Sequence, residues 1–402
     1  MSAEREKVSP LNEQVWDVAI VGAGPAGATA AIHLSSQGHR VLLIDKDDFP
    51  RDKVCGDGLI ADSIGALKRA GLYEDVRALA YDMQFCTIYS PSRVQIVVPG
   101  EFLTLKRILL DDLILQKAIA SGAKFLRRKV TGIETPSDDS ALSIIAGADK
   151  AIRSRIVILA TGADIELSTK VGLVRQARHS ALALRCYVRS RFALDRLIIS
   201  YDRSILPGYA WIFPLGNDEF NIGCGIFYNG NAKSRVNLRN TFQVFVSEFP
   251  LAKDIMRRAA SSTPLRGARL RCGLSEARSS GAGRILAIGE AIGATFPYTG
   301  EGIGKAMETA ELAAEVAHSA LSSGDFNTLQ EFPTRLEREL KPKFLGYQIA
   351  EDWLSRPWLN DFLARRIHKS RFLQDSVAGI LNETVDPKKI FSLRGIIRSF
   401  VR

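Results

Sequence analysis

The stretch Trp16-Asp17-Val18-Ala19-Ile20-Val21-Gly22-Ala23-Gly24-Pro25-Ala26-Gly27 sets the architecture of the chain. Trp16–Val21 is nearly all apolar, rich in β-branched residues and too short for a helix, so it reads as a buried strand. Gly22, Gly24 and Gly27 follow at the G-x-G-x-x-G spacing, with Ala26 between the last two, and Ala28–Ser36 reads as a helix opening on them. Gly22 allows a tight turn, Gly24 admits a pyrophosphate to the backbone, and Gly27 lets helix and strand close up. The helix start adds unpaired N–H donors and the positive end of its dipole. Gly38 closes the helix, Arg40–Ile44 is the second strand, and Asp45-Lys46 follows it. An acid at that point accepts ribose hydroxyls and disfavours a 2′-phosphate, so the dinucleotide is FAD or NAD rather than NADP.

Around this unit the composition is that of an ordinary globular protein. The chain has 402 residues, 46% hydrophobic and 24% charged, enough for two or three structural units. No run approaches the roughly 18 apolar residues of a membrane-spanning helix. Residues 1–14 lack the apolar segment of a secretory signal, so a cytoplasmic protein is expected. Cys55, Cys86, Cys186, Cys224 and Cys272 are scattered, with no C-x-x-C pair, which suits a reducing compartment and offers no zinc site. Net charge is +10, with basic residues dense at Lys124–Lys129 and from Lys341 onward. No nucleic-acid-binding motif accompanies them, and an anionic membrane surface is the better reading of the charge.

Asp48-Phe49-Pro50-Arg51-Asp52-Lys53-Val54-Cys55-Gly56-Asp57-Gly58-Leu59 follows as a structured loop, then Ile60–Ala70 as a helix ending at Gly71. A Phe-Pro-Arg-x-Lys-x-Cys-Gly-x-Gly-Leu loop after such a unit resembles the geranylgeranyl reductase family of flavoproteins, which share the fold of the aromatic hydroxylases. The resemblance implies FAD as the cofactor. It also implies that the loop passes the isoalloxazine, with Cys55 and Gly56 matching the pair that touches it. As a residue type alone, Cys55 also fits a small buried thiol. Arg107 matches the family arginine that contacts FAD, although an arginine at a helix start is more often solvated. Val130 is expected beside the adenine.

The remaining segments carry the same resemblance. Residues 81–105 alternate apolar and polar around Pro91 and Ser92 and read as a hairpin of a substrate-side sheet. Ile108–Ser121 reads as a helix, and Ala123–Leu126, Lys129–Ile133 and Ile156–Ala163 as strands. The Ala-Thr-Gly ending of the last strand, with Gly162, resembles two-dinucleotide flavoproteins. Asp164-Ile165 replaces the Asp-Gly of flavin hydroxylases. Ala181–Val188, Leu197–Tyr201, Tyr209–Phe213 and Phe220–Phe227 read as an antiparallel sheet roofing the flavin. Tyr209, Trp211 and Phe213 share one face of a strand. In the family, this Tyr-x-Trp-x-Phe-Pro motif and the Asn-x-Gly-x-Gly strand at Asn221–Gly225 line the substrate cavity. Three rings on one face fit either such a wall or plain core. Gly289-Glu290-Ala291-Ile292-Gly293 and Phe296-Pro297-Tyr298-Thr299-Gly300-Glu301-Gly302-Ile303 resemble the segment that binds the ribityl chain through an acid, here Glu290 in place of Asp. The helix beginning near Gly302-Ile303 then points its dipole at the flavin and favours the anionic reduced form.

These readings give an α/β protein: a Rossmann-type FAD-binding domain with an inserted antiparallel β-sheet substrate domain and a helical C-terminal region. The expected boundaries are 1–80, 105–168 and 271–325 for FAD, 81–104 and 169–270 for substrate, and 326–402 for the basic helical region. The last reads as stretches 326–347, 348–369 and 371–382, broken at Pro342 and Pro357. It fits either a membrane interface, through Trp353, Trp358 and Phe362 beside Arg365, Arg366, Lys369 and Arg371, or packing over the substrate cavity. The resemblance implies reduction of carbon–carbon double bonds in a long isoprenoid, a geranylgeranyl group or a quinone side chain, by hydride from the flavin and a proton from a group such as Cys55 or Tyr209. No second dinucleotide fingerprint occurs, so NAD(P)H binding transiently or a ferredoxin-like donor would reduce the flavin. Two other classes share parts of this pattern: a flavin monooxygenase or halogenase, and an electron carrier to quinone. Ile165 speaks against a hydroxylase, the absence of Gly-Glu-Ser-Leu and Trp-x-Trp-x-Ile-Pro motifs against a halogenase, and the lack of cluster-ligating cysteines against a carrier.

Overall fold

The computed structural model describes residues 14–136, 140–147, 151–174, 179–206, 208–228, 236–275, 281–297, 299–389 and 391–392. The readings of residues 1–13, of Tyr298 and of Leu393–Arg402 lie outside these residues.

Strand Val15–Val21 pairs in parallel with Val41–Asp45 on one side and Ile152–Leu159 on the other. Lys124–Arg127 and Ile285–Ala287 extend the sheet in parallel on either side, and Gly281–Ala282 adds an antiparallel strand beyond the latter. Leu142–Ala146 adds an antiparallel connection from Ile152–Leu159 to Val130–Glu134. The central strands are covered on both faces, with Val18, Ile20, Leu42 and Ile158 fully buried, which is why they read as continuous apolar runs without alternation. Helix Pro25–Ser36 packs on helix Ile303–Ser323, and alanines along both let the axes approach. The first helix begins at Pro25, earlier than the Ala28 expected. Gly24 is its N-cap and Pro25 its first residue, where a missing N–H has no helical partner to lose.

Among the described residues the second sheet has nine strands. Ala181–Ser190, Glu219–Phe227, Gly208–Pro214 and Leu197–Ser200 form an antiparallel ladder. Hairpin Tyr81–Tyr89/Gln95–Thr104 joins that ladder through one parallel pair with Leu197–Ser200, so hairpin and ladder make a single sheet. Helices Leu238–Glu248 and Pro250–Arg257, which a strand-only reading of 170–265 misses, bury Phe242, Phe245 and Phe249 against it. Asn237 caps the first of them by accepting from the N–H groups of Arg239 and Asn240.

The C-terminal region also departs from expectation. Glu331–Arg335, a π turn at Leu336–Leu340 and Lys341–Leu354 run on from one another, and Pro342 lies in the first turn of the last. The wide turn relieves the clash a proline ring would otherwise cause, so Pro342 does not separate two helices. Pro357 does begin a new helix, Pro357–Lys369, followed by Arg371–Leu381. Tyr347 stacks on Phe296 with ring centres 3.9 Å apart, and Asp361 accepts hydrogen bonds from Ser90 and Ser92 at the hairpin turn. These helices therefore brace the hairpin and the segment before helix Ile303–Ser323. No described helix is long and apolar enough to cross a membrane.

Candidate active site

A cavity of about 880 Å³ is lined by residues of both sheets. One arm runs over the first βα unit, along Gly22, Gly24, Pro25, Ala26, Asp45 and Lys46. Gly22 has φ +106°, and a Cβ there would run into the carbonyl of Ala160. The Asp45 carboxylate accepts from Ala23 N–H at 2.7 Å and Asp47 N–H at 3.0 Å, one bond per oxygen, which leaves lone pairs for ligand hydroxyls. Arg51 reaches over the helix start, its guanidinium 3.5 Å from where a Gly24 Cβ would stand, and is anchored to Asp111 at 3.2 Å. Free helix N–H groups, an open glycine and a cation converge there, with an acid at the neighbouring strand end. That donor and acceptor set fits a dinucleotide: anionic phosphates at the helix, ribose hydroxyls at Asp45. Val130 and Gly162 also line the cavity, Gly162 beside Lys53 and Glu290.

Gly27 and Gly289, expected to contact the cofactor, do not line the cavity. Gly27 packs on the carbonyl of Gly22, and Gly289, at φ +65°, leaves room for Ala26 and Ala306. Gly27 thus lets its helix close on the end of the first strand, and Gly289 lets two helices approach. Glu290, Gly302 and Ile303 do line the cavity. The Glu290 carboxylate lies 3.4 Å from Lys53 Nζ and accepts from Arg271 N–H at 3.3 Å. A Cβ on Gly302 would crowd Thr295 Oγ1 at 2.8 Å, so a side chain at the head of helix Ile303–Ser323 would have to displace Thr295.

Between the two arms the loop brings Cys55 and Gly56 to the cavity wall beside Arg107. Arg107 is buried, contrary to the solvated role its sequence position suggests, because Asp111 one turn along holds its guanidinium in two hydrogen bonds of 2.6 and 2.8 Å. Burial opposes that charge, yet the Asp111 carboxylate outweighs it and holds the guanidinium protonated. Burial pushes the Cys55 thiol up, against the pull of the Arg107 guanidinium next to it, so Cys55 is a protonated thiol at neutral pH.

Tyr209, Trp211 and Phe213 line the other arm from one strand face. The Tyr209 ring lies 5.8 Å from Trp211 and 6.2 Å from Phe227, and Trp211 lies 6.4 Å from Phe213. Phe213 covers Gly56 and Gly58, its ring 3.3 and 3.1 Å from where their Cβ atoms would be. Trp211 is both wall and core: it borders the cavity while only 5% exposed, and its indole N–H donates to Asn221 Oδ1 at 2.9 Å. The Tyr209 hydroxyl donates to the carbonyl of Thr299, and burial holds the phenol well above its ordinary pKa. No described residue after Ala306 lines the cavity, so the C-terminal helices pack away from it.

The sequence reading passes over Asp57, and the structure makes it a hub. It is fully buried at φ +65° and accepts from Arg107 N–H at 3.3 Å, Tyr187 Oη at 2.8 Å and Asn221 Nδ2 at 2.7 Å. Burial raises its carboxyl to about 6 despite these donors. Asn221 also donates to the Cys55 carbonyl at 2.8 Å. The signal available in sequence was a lone acid between two glycines, Gly56-Asp57-Gly58, in a loop with no other use for it.

Comparison with known proteins agrees with this geometry. The model of the family described as lycopene cyclase protein matches residues 17–350. Menaquinone reductase of Mycobacterium tuberculosis is 32% identical over 317 residues, 75% of this chain and 76% of that protein. Digeranylgeranylglycerophospholipid reductase 3 of Methanosphaera stadtmanae is 28% identical, covering 96% of this chain and all of its own length (100%). The crystal structure of a geranylgeranyl bacteriochlorophyll reductase-like protein from Thermoplasma acidophilum superposes with a TM-score of 0.77 at 22% identity, over 97% of this chain and 96% of that one, which establishes the shared fold. The chain belongs to the lycopene cyclase protein family and, within it, to the geranylgeranyl reductase-like oxidoreductases.

Proposed function

We propose that this enzyme holds FAD along the first arm of the cavity and saturates carbon–carbon double bonds of a long isoprenoid chain lying along the second. One observation carries the reading: a single cavity joins a dinucleotide cradle to an aromatic wall, with Cys55-Gly56 at the junction. Asp45 would hold the adenosine ribose, Gly24 and Arg51 the pyrophosphate, Val130 the adenine side, and Glu290 the ribityl hydroxyls. When bound and reduced, the flavin would supply the hydride for one alkene carbon. The protein supplies the rest: the aromatic wall excludes water and aligns the chain, and the protonated Cys55 thiol and Tyr209 phenol on the cavity wall are the proton donors. Glu290 is tied to Lys53, so its longer side chain needs that ion pair to stay within reach of the ribityl chain.

In this reading the nine-stranded sheet is a substrate domain inserted in the FAD-binding domain, through residues 81–104 and 169–270. Reduced nicotinamide or a ferredoxin-like protein recharges the flavin. The chain-like substrate is drawn from a bilayer, and the exposed basic C-terminal helices meet anionic lipid on the inner membrane face. The test is anaerobic reduction of the purified flavoprotein followed by a panel of re-oxidants. Prompt re-oxidation by isoprenoid alkenes with a saturated product is expected. Re-oxidation only by oxygen with an aromatic acceptor would replace the reading with a monooxygenase, and a preparation that takes up no FAD would remove it altogether.

A further inference from the structure

We propose that Asp57 and Asn221 are positioning residues that lock the Cys55 loop to the aromatic wall as one unit, and that the lock requires the Asp57 carboxylate to be ionised. Asn221 is the mechanical link. Its Oδ1 accepts from the Trp211 indole N–H, a group that can only donate, so its Nδ2 must face the other way. There it meets two acceptors, the Asp57 carboxylate and the Cys55 carbonyl. One amide thereby sets the Trp211 ring and the backbone of the loop that presents Cys55. Asp57 holds the amide in that sense and is itself fixed from three elements: the helix start through Arg107 N–H, strand Ala181–Ser190 through Tyr187, and strand Glu219–Phe227 through Asn221.

The groups around Asp57 do not supply a substitute charge. Arg185 lies over the Tyr187 ring but is bonded to Asp52, which Arg266 also engages. Lys106 also stands over that ring and pairs with Glu219, while the Arg107 guanidinium is held by Asp111. Asp57 therefore meets its three donors as a carboxylate. A proton on Oδ2 competes with the two donors already there, Tyr187 and Asn221, and a proton on Oδ1 removes the charge that strengthens all three bonds. Its position at φ +65° is one that asparagine also tolerates, so Asp57→Asn removes the charge and one acceptor without straining the turn.

The inference rests on the proposed reaction for its turnover readout alone, and a second readout needs neither flavin nor substrate. All five cysteines are free thiols, and Cys55 is the one that is not buried. In flavin-free protein, its modification by 4,4′-dithiodipyridine is followed from pH 8 to 5. Each rate is normalised to the unfolded chain at the same pH, with Cys55→Ser as the blank. Wild type should show protected Cys55 at pH 7.5 and a rise of about tenfold as pH falls through 6. Asp57→Asn should be fast throughout, with no step, and in the flavin-loaded enzyme should lose on the order of 10–100-fold in kcat, with a smaller change in KM. Asn221→Ser should follow Asp57→Asn in both respects. A wild-type profile without a step overturns the proposal even if neither variant folds, as does an Asp57→Asn protein with wild-type protection. A step in labelling in an enzyme that reduces no alkene would leave the lock standing and remove the reaction.

Discussion

Asp45 ends its strand with each carboxylate oxygen engaged by one backbone N–H, an arrangement that fixes its direction without exhausting its acceptor capacity. It is 9% exposed and opens on the cavity, so its remaining lone pairs have a ligand or water as partner. Asp45→Ala should weaken FAD binding by roughly 1.5–3 kcal/mol, the range for a charge-assisted hydrogen bond. Quenching of flavin fluorescence on titration into flavin-free protein measures this. Unchanged affinity would assign the ribose to another group. Trp211 shows how a residue serves two ends: the indole is packed as core, yet its one polar atom is spent on Asn221, and its apolar face is left to the cavity.

Helix Ile303–Ser323 carries the most heavily charged buried site at the scale of elements. Lys305 is fully buried, with carboxylates of Glu383 at 2.6 Å, Glu308 at 2.9 Å and Asp62 at 4.0 Å. These come from three elements, so the ammonium ties the Asp62 helix and the Glu383 turn to the long helix. Removing one partner of a buried ionic cluster leaves the others uncompensated, and Lys305→Met should destabilise the fold by about 3–5 kcal/mol in urea titrations. Desolvation raises Asp62, and with it Asp57 to about 6 and Glu351 to about 7. An acid raised in the folded state holds its proton there at pH values where the unfolded chain has lost it. These groups therefore make the fold more stable as pH falls from about 7 toward 5, and the benefit ends near their unfolded values close to 4. The apparent Tm should be about 1–3 °C higher at pH 5.5 than at pH 7.5, with a smaller difference in Glu351→Gln. An identical Tm at both values would mean these carboxyls are ionised in the native protein.

Over the whole molecule, charge and apolar surface coincide on one helix. In Pro357–Lys369, Trp358 is 68% and Phe362 38% exposed, and Arg365 and Lys369 continue the same exposed stripe at helical spacing. The helix packs on hairpin strand Gln95–Thr104 and on its two neighbouring helices with Leu359, Leu363 and Ala364 buried, so the stripe faces outward. Amphipathic surfaces of this kind sit in the headgroup layer, where each Lys or Arg near an anionic surface contributes about 1 kcal/mol. The protein should cosediment with anionic vesicles, release as salt is raised, and ignore neutral vesicles. Trp358→Ala should reduce the bound fraction several-fold without altering the flavin spectrum. Equal failure to bind both vesicle types would leave the stripe as ordinary surface and favour a carrier or a soluble substrate.

The chain's own pattern determined the βα unit with its cradle, the long alanine-rich helix, the hairpin and the ring-bearing strand. In each case a local period or a glycine spacing dictates the backbone, and local constraints are written in consecutive residues. It also placed Cys55, Arg107, Glu290 and the Tyr209–Phe213 face as candidates, through motifs that sit whole in the sequence. What the sequence left undetermined depended on contacts between distant segments. Whether Arg107 is solvated turns on Asp111 and the cavity wall around it. Whether Trp211 is wall or core turns on Asn221 in the next strand, and the answer is both. Asp57 has no periodic signature at all: its importance comes from three donors on three elements meeting in a dry site, which only the packed fold brings together. Gly289 shows the reverse, sitting in a ligand motif while the fold uses it to make room for Ala26 and Ala306 of two helices, whereas Gly27 closes its helix onto Gly22 and Ala160 as its spacing predicts.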